Sequence, residues 1–350
     1  MADSLHEHDP SSVLWVLSLD AFTTDYLREI NLKHIRIVEL STLEKADPAL
    51  LATKPDRDPI EYYFTLSPCW PRYLFRQYPE LEHLTYVDAD MFFFASPAPI
   101  FAEMKRASVL VTEHRYPNHL SHLERCGLFN VGLLSFRNNP IALACLNQWR
   151  ENCLAWCHDR AEEGKYADQK YLDEWPDRLG QDLHVVRRLG VNLAPWNWSQ
   201  YRYSFEKDRV WVQDDPLEMF HFARFRPSFG NLWFQSGQLE YGVMPWKLRQ
   251  RIYGPYWRAL KQAFVQIRRW RPEYMMPRSS LRCWHSFWRA LVPRVLFGSD
   301  WLRIGSVFIS GRFGLGRYSG QMLSFIRRVT TGEPETPEKA PEALTTVSAE

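Results

Sequence analysis

Leu84-Thr85-Tyr86-Val87-Asp88-Ala89-Asp90-Met91-Phe92-Phe93-Phe94 is the stretch on which the reading of this chain turns. Its apolar, β-branched and aromatic residues spell a buried strand. Two carboxylates interrupt the run, which resumes as Met91 and three phenylalanines and stops at the turn signal Ser96-Pro97. In an extended segment residues i and i+2 point the same way. Asp88 and Asp90 are therefore expected to face one direction at the carboxyl end of a strand, where open α/β sheets bind their ligands. Two like charges side by side repel and lose hydration unless a cation sits between them. Mn²⁺ or Mg²⁺, hard ions that take oxygen ligands and often keep phosphate as a partner, suit that need. The plainer alternative is a strand end carrying two solvated acids, and the apolar flanks on both sides favour the metal.

Working outward, residues 13–20 are expected to form a continuous apolar strand of the parallel, doubly covered kind. Further strands are expected at 35–40, 108–112, 129–136, 183–186, 209–213 and 218–222, and helices at 26–30, 42–53, 61–77 and 141–159. The helix at 61–77 is expected to bend near Pro68 and Pro71. Strands alternating with helices indicate an α/β fold with a mostly parallel sheet. Asp168-Gln169 falls in the first turn of another helix, where an acid favours the helix dipole. His114, His119 and His122 share no ligand spacing and read as solvated or substrate-facing loop residues. His221 ends a strand and reads as a satisfied polar residue unless it faces something charged. Six cysteines (69, 126, 145, 153, 157 and 283) show no paired metal-ligand spacing and read as core thiols of a reducing compartment.

Four motifs then appear in order: Tyr86-Val87-Asp88-Ala89-Asp90, Phe129-Asn130-Val131-Gly132, Asp168-Gln169-Lys170-Tyr171-Leu172 and His221-Phe222. Over residues 13–227 the chain resembles the metal-dependent glycosyltransferases of the GT-A fold, most closely the retaining glycogenin-like and lipopolysaccharide galactosyltransferase-like group. The resemblance implies a Rossmann-like nucleotide-sugar transferase domain over residues 1–230. Asp88 and Asp90 would hold Mn²⁺ or Mg²⁺ against the donor diphosphate, with Asp88 also near the ribose and His221 as the third protein ligand. Asn130 and Gly132 would meet the donor, Asp168 would hydrogen-bond the transferred sugar, Gln169 would lie under the anomeric carbon, and Arg226 would meet the diphosphate. The partners implied are a nucleotide-sugar donor and a glycan or lipid-linked acceptor. The chain departs from the family twice. The family opens with a strand and helix that floor the nucleotide pocket, and Met1-Ala2-Asp3-Ser4-Leu5 corresponds to the end of that helix, so the first strand is expected to be missing. The family's His-Phe-x-Gly is here His221-Phe222-Ala223-Arg224, a bulky cation where glycine lets backbone approach phosphate. A metal-dependent nucleotidyltransferase, or a non-catalytic GT-A-like binding protein, are the alternatives.

The net charge of +2 is unevenly spread. Residues 231–330 carry 17 Lys and Arg against three acids, an excess of +14 that leaves −12 for the rest. Residues 243–264 and 279–296 read as amphipathic helices rich in Arg and Trp. This basic aromatic region can lie on an anionic membrane surface, offer Arg to an anionic acceptor, or present a solvated face. No nucleic-acid-binding motif accompanies the charge. Residues 331–350, rich in Pro, Glu, Thr and Ala, are expected to be disordered. No apolar run reaches the roughly 20 residues of a membrane span, and the opening residues do not spell a signal peptide. A cytoplasmic protein is expected, with peripheral contact to the inner face of the membrane open to its basic region.

Overall fold

The computed structural model describes residues 1–228 and 233–274. The expectations for 279–296 and 331–350, and for Cys283, lie outside the described residues. Helix α1 (Ala2–His8) leads into β1 (Leu14–Ser18), α2 (Ala21–Ile30), β2 (Ile35–Glu39), α3 (Leu40–Ala46), α4 (Pro48–Thr53) and α5 (Pro59–Gln77). Local chemistry sets these boundaries. Asp20 caps α2 through the Thr23 N–H, and Asn31 ends that helix in the left-handed conformation. Pro48 divides the single helix expected over 42–53, and Asp47 caps the second half. Asp58 and Glu61 form a reciprocal capping box ahead of Pro59. Pro68 and Pro71 both lie buried inside α5, which is assigned as one helix across them.

β3 (His83–Val87), β4 (Met91–Phe93), α6 (Ala98–Met104), β5 (Val109–Glu113) and β6 (Phe129–Arg137) follow, then α7 (Pro140–Ala155), α8 (Trp175–Leu179) and β7 (Leu183–Val185). Four of these strands form a sheet in the order β3-β6-β5-β7. β6 is antiparallel to both its neighbours, and only β5–β7 is parallel in this sheet. The mostly parallel sheet expected from the sequence is thus a mixed one. The reason is the connection from β5 to β6, a run of 3₁₀ turns at Asn118–Cys126, which returns the chain without the crossover that parallel neighbours require. Every residue of β6 but Arg137 is buried, and Phe136 packs with Trp149 of α7 and Trp175 of α8, the two indoles edge to face at 5.7 Å.

The remaining described elements are β8 (Tyr203–Glu206), β9 (Arg209–Val212), β10 (Asp215–Pro216), β11 (Met219–His221), β12 (Phe225–Ser228), β13 (Trp233–Ser236), α9 (Gln238–Tyr241) and α10 (Trp246–Trp270). β11 pairs antiparallel with β4, setting His221 opposite Met91. α10 lies against β11, its Leu248, Ile252, Tyr253 and Tyr256 sharing one buried cluster with Phe220 and Phe222. At its far end Trp270 meets Phe22 and Tyr26 of α2. No helix among the described residues is long and apolar enough to cross a membrane.

β1 and β2 pair in parallel as a separate two-stranded sheet. Among the described residues, β1 has no ladder partner but β2, and β3 none but β6. Between them lies an apolar cavity of about 510 Å³, lined in part by Trp15, Leu17, Trp70, Leu84 and Tyr86, and Asp88 stands on its wall.

Candidate metal centre

β3 ends at Val87, one residue before the first carboxylate. Asp88 to Met91 is a tight turn, closed by the Met91 N–H on the Asp88 carbonyl at 3.2 Å. The two acids therefore converge through a turn, not through the alternation of an extended strand as the sequence suggested. Backbone bonds fix both ends of the turn. The Asp88 N–H donates to the Gly132 carbonyl of β6 at 3.1 Å, and the Asp90 carbonyl accepts from the Phe222 N–H at 2.9 Å. That last bond places His221 beside the pair.

The His221 Nε2 lies 3.1 Å from the Asp90 Oδ1 and 3.8 Å from the Asp88 Oδ2. One ligand atom from each of the three residues falls within 4.8 Å of the others, so this group can hold a metal ion. Two carboxylate oxygens and one imidazole nitrogen are a donor set for a divalent cation, the oxygens suiting hard ions and the nitrogen the borderline ones. His221 is buried, whereas the Asp88 and Asp90 side chains keep 32% and 43% of their surface, which leaves room for an incoming ligand.

The electrostatics follow from this placement. Burial opposes the charge on His221, yet Asp90 and Asp88 overcome it and raise its pKa. Burial also opposes Asp90, but the charge and hydrogen bond of His221 hold its carboxyl below the usual range. Burial pushes Asp88 up, with Asp90 adding to the rise and His221 and the Tyr86 hydroxyl resisting it. Tyr86 donates to the Asp88 Oδ1 at 2.9 Å. Asp168 is buried next to this group. Desolvation, with a contribution from Asp88 and against a hydrogen bond from Ser67, pushes its carboxyl to about 7.

Asn130 and Gly132 stand on β6 directly behind His221. The Asn130 Oδ1 is 3.2 Å from the His221 Nδ1 and 3.0 Å from the Gly132 N–H, and its Nδ2 is 3.2 Å from the His114 Nε2. A Cβ on Gly132 would come within 2.6 Å of the Asn130 Oδ1 and 2.8 Å of the His221 Nδ1. Here glycine answers a need for close approach. His114 is buried, not solvated as its loop position suggested, and desolvation drives its pKa down to about 3. His119 and His122 are exposed, as expected.

The other residues singled out by sequence sit as follows. The Asp168 carbonyl accepts from the Trp149 indole at 2.8 Å, and the Gln169 amide donates to the Cys126 carbonyl at 2.8 Å. Both precede the 3₁₀ turn Lys170–Glu174 instead of opening an α-helix. Arg226 is exposed on β12, opposite Gln235 in the ladder. Arg224 takes the left-handed conformation, φ 60°, and pairs with Glu240 at 2.8 Å. The backbone shape that favours glycine is kept at that position although the residue is Arg. The sequence reading missed Tyr86 and Ser67; Tyr86 could have been found, because it stands two residues before Asp88.

Fold and site together define a mixed α/β protein with a candidate divalent-metal centre built from one turn and one later strand. The chain belongs to the family of two Bacillus subtilis strain 168 proteins, uncharacterized protein YfnD and uncharacterized protein YfnF. It is 32% identical to YfnD over 281 residues, which covers 78% of this chain and 88% of the relative. To YfnF it is 33% identical over 231 residues, covering 64% and 75%. No protein-family model matches. Among solved structures, the apo form of mouse xyloside xylosyltransferase 1 is similar with a TM-score of 0.38 and 15% identity, over 63% of this chain and 89% of that one. A likeness at that level leaves the chemistry to be argued from this chain's own residues.

Proposed function

We propose that this chain is a metal-dependent glycosyltransferase that moves a hexose from a nucleoside-diphosphate sugar to a glycan or lipid-linked acceptor, with retention of anomeric configuration. The observation that carries the reading is the meeting of Asp88, Asp90 and His221, which come from two motifs more than a hundred residues apart. Asp88, Asp90 and His221 hold the ion, and Asp88 also lies near the donor ribose. A bound divalent ion supplies Lewis acidity for the charge that develops on the leaving diphosphate. Arg226 adds a cation to the same charge. Asn130 and Gly132 line the donor side, Asp168 orients the transferred sugar, and Gln169 lies beneath the anomeric carbon. The acceptor oxygen bonds to the anomeric carbon as the bond to the diphosphate oxygen breaks. The acceptor's proton passes to the departing phosphate, so no protein base is needed. On α10, Arg258, Lys261, Arg268 and Arg269 are exposed, and they form the side on which an anionic acceptor or membrane surface would lie.

The test is a thermal-shift screen of nucleoside diphosphates and their sugars, each with and without Mn²⁺. A ligand that binds only the folded state raises the melting temperature by mass action. One nucleotide that raises it only in the presence of metal is the expected result. No shift with any pair overturns the proposal. Asp90→Ala should abolish the metal-dependent shift while the metal-free protein still melts cooperatively.

A further inference from the structure

We propose that His114 is a positioning residue for the metal centre, acting through Asn130 to hold His221 with its Nε2 turned toward Asp88 and Asp90. The inference rests on the metal reading above and starts from one group whose hydrogen cannot be misplaced, the Gly132 backbone N–H. It can only donate, so the atom of Asn130 that meets it at 3.0 Å is the amide oxygen. That fixes which way the Asn130 amide faces. The amide NH₂ must then point at the His114 Nε2, 3.2 Å away. An NH₂ can only donate, so the His114 Nε2 carries the lone pair and the ring's proton sits on Nδ1, a buried nitrogen that has no hydrogen-bond partner among the described residues. On the other side, the Asn130 oxygen accepts from the His221 Nδ1 at 3.2 Å, so that nitrogen carries a hydrogen. The nitrogen left for an ion is the His221 Nε2, which already faces both carboxylates. A ligand histidine whose second nitrogen is held in this way keeps both its tautomer and its ring orientation.

The relay is buried and braced. His114 is 3% exposed and stacks on Tyr116 at 4.8 Å with 9° between the rings. The Trp196 indole donates to the His114 carbonyl at 2.9 Å, and the same indole packs edge-on against the His221 ring at 5.2 Å. One tryptophan thus holds both histidines while Asn130 joins their nitrogens.

Nitrogen–proton correlation NMR on the intact, metal-free protein tests the relay directly. The His114 ring, identified by its loss in the His114→Gln spectrum, should be neutral with hydrogen on Nδ1. Hydrogen on Nε2 reverses the amide and overturns the proposal. Titration with Mn²⁺ alone, with free ion read by electron paramagnetic resonance, tests the consequence. His114→Phe removes the acceptor and should weaken Mn²⁺ binding about 10- to 100-fold. His114→Gln, whose carbonyl can accept the same bond, should bind like the wild type. Equal weakening in both variants assigns His114 to packing alone and overturns the proposal. Wild-type protein that holds no Mn²⁺ removes the metal reading, and the positioning role falls with it. Wild-type affinity in His114→Phe sinks the positioning role while the metal reading stands.

Discussion

Gly132 is the residue at which one added methyl would be felt most sharply. Its Cβ would press on the hydrogen bond between Asn130 and His221 from both ends. Gly132→Ala is expected to cost about 1–3 kcal/mol in stability and to weaken Mn²⁺ binding at least about tenfold. Denaturant unfolding and ion titration of the same preparation check the two effects. Titration also leaves a signature. The pKa of His221 is raised in the folded protein, so its contribution to stability is full below about 6.5 and is lost as pH rises through the higher folded value. Asp168, raised to about 7 by burial, adds a penalty that grows from about pH 4 to pH 7. These two act in one direction and His114, its pKa lowered to about 3, acts in the other; with two groups against one, the metal-free protein should melt lower at pH 8 than at pH 6. Asp168→Asn should shrink that difference, and Mn²⁺ affinity should rise over the same interval as the proton leaves His221. Asp88 and Asp90 were legible in the sequence because paired acids between apolar runs are costly without a cation, whereas His221 by itself read as a satisfied polar residue and entered the ligand set only through the family resemblance. The Asn130 contacts were not legible, since its partners His114 and His221 stand far from it in sequence and nothing in a linear motif encodes which way an amide turns.

At the scale of elements, most strands and helices were legible from apolar alternation and caps, because those signals are local. The turn at Asp88 was not, and neither was the antiparallel setting of β6. Both depend on where a distant segment returns, the first on β11 and the second on β5. β1 and β3 each have an edge without a ladder partner among the described residues, a further feature that local patterning does not record. An unpaired edge leaves alternate amides without ladder partners. In hydrogen exchange, the amides of β1 and β3 that face the cavity should exchange about tenfold or more faster than those of β6, which is bonded on both sides. Equal protection across the three strands would show that this edge is covered.

For the molecule as a whole, α10 is the brace behind the candidate metal centre. Tyr256 stacks on Phe222, the residue after His221, at 3.8 Å and meets Phe92 of β4, just past the turn that carries the two acids, edge-on at 5.8 Å. Tyr256→Ala should therefore lower stability by about 3 kcal/mol, read from the denaturant midpoint at constant slope. Some of the charge imbalance legible in the sequence resides on this helix, which turns tyrosines inward and holds Arg258, Lys261, Arg268 and Arg269 outward.

The ligands of the centre arrive at very different times during synthesis. The carboxylates at 88 and 90 leave the ribosome well ahead of the imidazole at 221. Until β11 closes on β4, a nascent chain carries two acids that have no nitrogen partner and hold ions weakly. Closure spans a long loop, whose entropic cost is met only when the later strand docks. An ion that binds after docking ties that loop shut. Metal should accordingly slow unfolding more than it speeds folding, making the ion a latch set at the last step of assembly.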